Sequence, residues 1–403
     1  MKERCLERLC YNGLMMSKTV LVMYGGVCPE HEVSIVSALQ VMSALEEGGF
    51  KVLPLYISKE GGWYMGDKKY LKPENYKDLE KVKQWGKRVI ISADREWDLL
   101  AKGWLGFGGM EEKIDAVFPV FHGQYGEDGA IQGLLEHADL PYVGCGVTAS
   151  GVGIDKYVAK RVAESLGVRV TKDVLVTVGG WKKEKKELVK EIGKLKWPVF
   201  IKPARLGSSI GVLRLVKKKD LMDALEVAFR YGSRVVVEEA VKNPIEINIS
   251  ILGNDPYELS VTEKPVTVAD VLSFEDKYIG EGGKSKGMAS AKRIIPAPVS
   301  EKIKMEIEKA TVDIFRAIDG KGISRLDFML DSENKVYFNE INTMPGSLAF
   351  YLWEASGVSF KRLVTKLVRL AEEEWKAKKK LVSVFNSNIL AGFASRGSKG
   401  GKV

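Results

Sequence analysis

A chain of 403 residues with 45% hydrophobic and 29% charged residues is long enough for two or three cores and has the composition of an ordinary globular protein. Its net charge of +9 would suit a nucleic-acid binder. The basic residues are dispersed, however, apart from 182–196 and 376–403, which fits a solvated face and a tail and argues against nucleic acid as a partner. Four cysteines without a C-x-x-C pair argue against zinc and fit a reducing cytoplasm, and no apolar run approaches the ~18 residues of a membrane span.

Residues 1–17 lack the continuous apolar core of a signal peptide and read as a disordered extension. SKTVLVMYGG then predicts a strand ending in a glycine turn. In HEVSIVSALQVMSALEEGGF, Ile35, Leu39, Met42 and Leu45 share one helical stripe, and KVLPLYIS is a second strand. IDAVFPVFHGQYGEDGAIQGLLEHADLPYVG repeats this grammar, so residues 18–145 read as an open parallel sheet with its ligands at the carboxyl ends of the strands. The less regular segment 61–110 reads as an insertion on this unit. Residues 146–236 change style to a small α+β unit with a lysine-rich helix over 182–194. Residues 237–378 form a larger α+β region that ends in a helix, with a long loop over 263–296, and 379–403 is a basic tail expected to be disordered.

Two stretches carry chemistry. KPARLGSSIG (202–211) places a lysine before a Gly-Ser tip between two strands; the P-loop spacing is absent, and a strand rather than a helix follows. GISRLDFMLDSENKVYFNEINTMPG (322–346) predicts a hairpin. With a four-residue loop over 332–335, Asp327 faces Glu340 and Arg325 faces Asn342, all on one patch. Two carboxylates and an amide beside an arginine are an oxygen-ligand set for Mg²⁺; the same pattern also fits a surface cross-strand ion pair.

The motifs GGVCPEHEVS, FHGQYGEDGAIQGLLE, PYVGCGV with IDK, KPARLGSSIG, EDKY, and RLDFML followed by NEINTMPG together resemble the D-alanine–D-alanine ligase family of ATP-grasp carboxylate–amine ligases, from about Lys18 to Leu370. The resemblance implies an ATP-grasp fold, with a preATP-grasp α/β domain at 18–145 and the two grasp subdomains at 146–236 and 237–378. It also implies ATP as a substrate, two Mg²⁺ ions with Mn²⁺ able to substitute, and D-alanine substrates; the assembly would be a homodimer. Residue by residue, Glu30 would orient the first D-alanine, with His122 near it. Ser208 and Tyr278 would close the site, Gly207 to Ser209 acting as a mobile cover that stands open or disordered until nucleotide binds.

Lys156, Lys202 and Lys277 match phosphate-contacting lysines, Lys277 also lying toward the second substrate. Glu238 and Val241 match the adenine strand, Glu246 the ribose contact, and Asp327, Glu340 and Asn342 the magnesium ligands. Arg325 and the Gly346 backbone match the oxyanion site. Three positions depart from the family pattern. Tyr351 stands where a small hydroxyl residue holds the second substrate's carboxylate, with Ser347 as a substitute; Glu239 replaces a lysine; and Leu206 replaces a polar residue. The alternatives are a ligase for D-lactate, D-serine or another second substrate, and a regulator that binds nucleotide without chemistry. Cys28 and Cys145 read as packing residues, His31 and His137 as helix-surface residues, and Trp197 and Phe200 as core.

Overall fold

The computed structural model describes residues 17–94, 99–103, 106–109, 112–266, 293–384 and 387. Its first unit comprises β1 (Thr19–Gly25), α1 (His31–Glu47), β2 (Lys51–Ile57), β3 (Trp63–Met65), α2 (Leu79–Trp85), β4 (Lys87–Ile91), β5 (Leu99–Gly103), β6 (Gly106–Gly109), β7 (Ala116–Val120) and α3 (Ala130–His137). Every residue of β1 is buried, as its unbroken apolar run requires of a central parallel strand covered on both faces. It pairs in parallel with β2 on one side and β7 on the other, which makes the crevice beyond β1 and β7 a topological switch point. Gly25 closes β1 with φ +90°, and a Cβ there would lie 2.2 Å from the Ile57 carbonyl oxygen, so only glycine lets the chain turn toward that crevice.

Segment 61–110, expected as an insertion, instead extends this sheet. β3, β4, β5 and β6 add antiparallel to the β2 edge, giving the order β6-β5-β4-β3-β2-β1-β7. These strands are short, three to five residues each. In β4 only Val89 and Ile91 are buried, which leaves little alternation to read.

The second unit contains α4 (Val147–Ile154), α5 (Lys156–Ser165), β8 (Asp173–Thr177), α6 (Val178–Lys183), α7 (Lys185–Ile192), β9 (Val199–Pro203), β10 (Leu213–Leu215), α8 (Leu221–Phe229) and β11 (Arg234–Glu239), with sheet order β10-β9-β11-β8. The lysine-rich helix expected over 182–194 is two helices that meet at Glu184. Leu221, Leu225 and Ala228 of α8 pack on Val199, Ile201, Val235 and Val237.

The third unit contains β12 (Ile245–Gly253), β13 (Tyr257–Leu259), β14 (Lys264–Pro265), β15 (Arg293–Ile294), α9 (Glu301–Ala317), β16 (Ile323–Leu330), β17 (Val336–Asn342), α10 (Phe350–Ala355) and α11 (Phe360–Lys378). Its main sheet runs β13-β12-β16-β17 and is covered by Ile307, Ile314 and Phe315 of α9. Helix α11 returns to the first unit, where Leu363, Val364 and Leu367 share a core with Val20, Val22 and Ile35. No helix among the described residues is long and apolar enough to cross a membrane.

Gly322 of the third unit packs against Gly144 of the first; it has φ +69°, and a Cβ there would meet the Gly144 Cα at 2.8 Å. A Gly322→Ala variant combines backbone strain with a clash against main chain and should lose about 1–3 kcal/mol of stability. Thermal and urea unfolding check this; an unchanged midpoint would mean that the contact yields without cost.

Candidate active site

The hairpin of β16 and β17 pairs Asp327 with Glu340 and Arg325 with Asn342, as expected, but by a different route. Leu330 pairs with Val336, so the turn holds five residues rather than four, and a bulge at Asp327/Phe328 restores the register by leaving Asn339 unpaired. Phe338 and Ile341 stay buried while Asn339 and Glu340 both turn to the cavity. The neighbouring strand extends the row. Asn248 of β12 lies opposite Asp327, and Glu263 lies opposite Asn248, so four polar residues cross the sheet on one face.

Arg325 is buried and holds Asp327 through two bonds, Nε to Oδ1 at 2.7 Å and Nη2 to Oδ2 at 2.8 Å. Burial opposes the charge of the guanidinium, but the adjacent Asp327 carboxylate outweighs it and keeps Arg325 ionised well beyond its ordinary range. The Asn342 amide donates to Asp327 Oδ2 at 3.1 Å. Among the described residues no three His, Cys, Asp or Glu side chains converge on a metal site. The oxygen donors are two carboxylates and an amide, which suits Mg²⁺, an ion that completes its shell with phosphate and water.

The lysines meet these carboxylates from the second unit. Lys156 Nζ lies 2.9 Å from Glu340 and donates to the Leu206 carbonyl at 2.6 Å. Lys202, at the end of β9, pairs with Glu238 and reaches Asn339 Oδ1 at 3.4 Å. Burial works against its charge, but Glu238 raises its pKa on balance. Glu238 also takes Lys160 at 2.6 Å, and Lys160 in turn bonds Asp173 at 2.8 Å and Thr171 at 2.7 Å. Burial alone would favour the acid form of Glu238, yet the two lysines drive its carboxyl far below the usual range. Asp155, fully buried, caps α5 through Val158 N and takes Arg205 at 3.0 Å and Arg234 at 3.1 Å, which fixes the start of the helix that carries Lys156 and Lys160.

On the switch-point side, Glu30 follows β1 and His122 follows β7. The Ser208 hydroxyl donates to Glu30, which closes the Gly-Ser tip over the cavity. His122 shares a hydrogen bond with Ser37 at 3.0 Å and lies 3.1 Å from the Met344 carbonyl. Its burial holds it neutral down to about 4. Glu127 binds the same turn, accepting from Gly123 N at 2.7 Å and Met344 N at 2.9 Å, and burial pushes its carboxyl up to about 8.

Ser347, Leu348 and Ala349 are all left-handed at φ 49°, 54° and 48°, a strained run that turns the chain directly after Gly346. The Tyr351 hydroxyl donates to Glu263 Oε1 at 2.9 Å, and Arg293 lies over the Tyr351 ring.

One cavity gathers Glu30, His122, Lys156, Lys202, Gly207, Ser208, Ser209, Glu238, Val241, Glu246, Arg325, Asp327, Glu340, Asn342, Gly346 and Tyr351. Ser347 is buried beside it, while Lys277 and Tyr278 lie outside the described residues. Two readings need correction. His31 is buried and bonded to Gly26 O and Tyr56, because the turn after β1 folds over it. Phe200 lines the cavity instead of the core, being on the opposite face of β9 from Val199 and Ile201. Trp197 packs at the core edge as expected. Burial raises the Cys28 and Cys145 thiols to about 11, in keeping with packing. The sequence reading missed Lys160, although its i+4 spacing from Lys156 marks one helix face. It also missed Glu127, Asn339, Glu263 and Arg293.

The three sheets, the Gly-Ser tip and a cavity lined with lysines and carboxylates define an ATP-grasp carboxylate–amine ligase. Residues 19–145 match the family model for the D-ala D-ala ligase N-terminus and 162–369 that for the C-terminus, and the chain belongs to the D-alanine–D-alanine ligase family. It is 38% identical to a D-alanine–D-alanine ligase of Geobacillus thermodenitrificans over 92% of this chain and 100% of that one, and 36% identical to that of Geobacillus kaustophilus over 92% and 99%. Among solved structures, the VanG D-Ala:D-Ser ligase from Enterococcus faecalis superposes with a TM-score of 0.75 at 30% identity, covering 88% of this chain and all of that one. The D-alanine-D-alanine ligase from Coxiella burnetii gives 0.74 at 27% identity, covering 91% and 97%.

Two predictions follow from these charges. Lys160→Met removes one of two cations from each of two buried carboxylates, leaving Glu238 with Lys202 and Asp173 with Arg161, and should cost about 1.5–3 kcal/mol, read by urea unfolding; a loss under about 0.5 kcal/mol would contradict the network's role. His122 titrates near 6.5 when unfolded and near 4 in the fold. The unfolded chain therefore takes the proton first, and the stability held by neutral His122 is full above pH 6.5 and lost as pH falls toward 4. Between pH 7 and 4 the stability gap between the protein and His122→Gln should shrink by about 3 kcal/mol; a gap independent of pH would refute this.

Proposed function

We infer that the protein joins two D-alanine molecules in an ATP-dependent reaction through an acyl phosphate, releasing ADP and phosphate and supplying a peptidoglycan dipeptide. The observation that carries this reading is the convergence of Arg325, Asp327, Glu340, Asn342, Lys156 and Lys202 on the cavity that Glu30 and Ser208 close. Phosphoryl transfer asks the protein mainly for positioning and charge. Lys156 and Lys202 would meet the phosphates, with Glu340 and Glu238 holding them in place. The carboxylate of Glu238 is engaged by two lysines, so adenine contacts of this segment would come from the backbone near Val241, with Glu246 toward the ribose.

Asp327, Glu340 and Asn342 would hold Mg²⁺, which neutralises phosphate charge when bound. Glu30 would orient the first D-alanine, whose carboxylate attacks the γ-phosphate. The amine of the second D-alanine then attacks the acyl phosphate, with Arg325 and the Gly346 N–H stabilising the oxyanion. The contact between Ser208 and Glu30 covers the site, as an acyl phosphate exposed to water requires. The active form would be a cytoplasmic homodimer.

ATP-dependent phosphate release should require D-alanine and be weak with L-alanine, D-lactate or D-serine alone; no D-alanine-dependent release with Mg²⁺ present would sink the reading. Arg325→Ala should lower ligation at least ~100-fold, consistent with loss of one oxyanion donor, while ADP binding changes little. Turnover near that of the unmodified protein would refute the oxyanion role.

A further inference from the structure

On the ligase reading, the second substrate brings a carboxylate into the pocket, and the small hydroxyl residue that the family uses there is Tyr351 in this chain. The Tyr351 hydroxyl is already committed, donating to Glu263 Oε1 at 2.9 Å, and Tyr351 is 9% exposed. Ser347 is buried on a left-handed turn whose backbone N–H donates to Ser37. The Tyr351 hydroxyl is thus engaged by a protein carboxylate, and Ser347 is not part of the cavity lining.

The same wall carries a cation that the motifs do not include. The Arg293 guanidinium lies over the Tyr351 ring, its Cζ 3.6 Å from the centroid, and its Nη1 is 3.4 Å from Glu263 Oε2. Glu263 is itself fixed, accepting from Asn248 Nδ2 at 3.1 Å and bridged to Asn248 through the backbone. An arginine whose side chain is 11% exposed is costly to bury, and the Glu263 charge and the ring face offset that cost. Stacking and pairing also fix the plane of the guanidinium, whose planar fork matches a carboxylate.

Arg293 lines the same cavity as Arg325, Glu30 and His122. Arg325 stands on β16; on one side of that strand lie β12 and Glu263, which bridges to Asn248 at its edge, and on the other lies β17, whose following Met344 turn is held by His122 and Glu127. The first-substrate wall therefore lies on one side of the oxyanion arginine and the Glu263–Arg293–Tyr351 group on the opposite side.

We propose that Arg293, positioned by Glu263 and the Tyr351 ring, binds the carboxylate of the second substrate in this enzyme. Tyr351 has become a platform for the anchor rather than the anchor itself.

The test is a competition between D-alanine and D-alaninamide as acceptors, with ATP, Mg²⁺ and the full chain, the two products being counted by mass spectrometry. The unmodified enzyme should strongly favour D-alanine. Arg293→Met, which keeps the aliphatic packing on Tyr351, should lower that preference about 10- to 100-fold, the scale of a charge-assisted bond. The loss should fall on the KM for the second D-alanine, with the first-substrate KM little changed, and Arg293→Lys should restore part of the preference. Arg293→Met or Arg293→Lys that is slower but keeps the full preference would overturn the proposal, as would an unmodified enzyme indifferent to the amide. An unmodified enzyme that makes neither product would instead remove the ligase reading on which the proposal rests.

Discussion

Between Asp327 and Phe328 the ladder of β16 and β17 slips by one residue, and Asn339, left over on β17, lets two consecutive side chains face the same cavity. An unbulged hairpin with this five-residue turn would place Asp327 opposite Asn339 and Glu340 opposite Leu326, turning Glu340 to the core, as any one-residue slip must. With the bulge, Glu263, Asn248, Asp327 and Glu340 form one row across the sheet, and Arg325 and Asn342 occupy the next paired positions. Asn339 also gains a place beside Lys202, which belongs to a different sheet.

That row is a line of negative charge in a partly closed cavity, and it stands only because cations reach it from three directions. Arg325 comes from the same strand, Lys156 from the start of α5, and Arg293 from β15. Behind the lysines, Glu238 repeats the scheme with Lys160 and Lys202. Each pair is an arrangement from which a cation can be lent to a phosphate or carboxylate without leaving a long-buried charge behind. The switch-point crevice contributes the other wall, where His122 and Glu127 clamp the Met344 turn that leads to Gly346.

Much of this was legible. β1, the helix after it, the strand at 116–120 and the facing of Asp327 and Glu340 follow from periodicity, and the motifs carried the residues of the cavity. What could not be read depended on distance in sequence or on a local irregularity. Glu340 shares the cavity face with Asn339 only because of the bulge, and the hairpin pairing came out right because two errors, a turn one residue too short and a missing bulge, cancelled. Glu263 and Arg293 sit in a polar segment with no period of its own and acquire meaning only beside Asn248 and Tyr351. Glu127 lies within a recognised motif, but its grip on Met344 spans 217 residues. The antiparallel strands from β3 to β6 are too short, at three to five residues, for alternation to mark them in the sequence.

The most direct measurement is the Mg²⁺ dependence of ADP binding in Glu340→Gln, the side chain that the bulge turns to the cavity, compared with the unmodified chain by calorimetry after circular dichroism has established that both are folded. If the bulge gathers the cation ligands, Mg²⁺ should tighten ADP binding to the unmodified chain and have little effect on the variant, which should also fail to make dipeptide. Equal tightening in both, with dipeptide formed by the variant, would contradict the dependence of the site on that one residue.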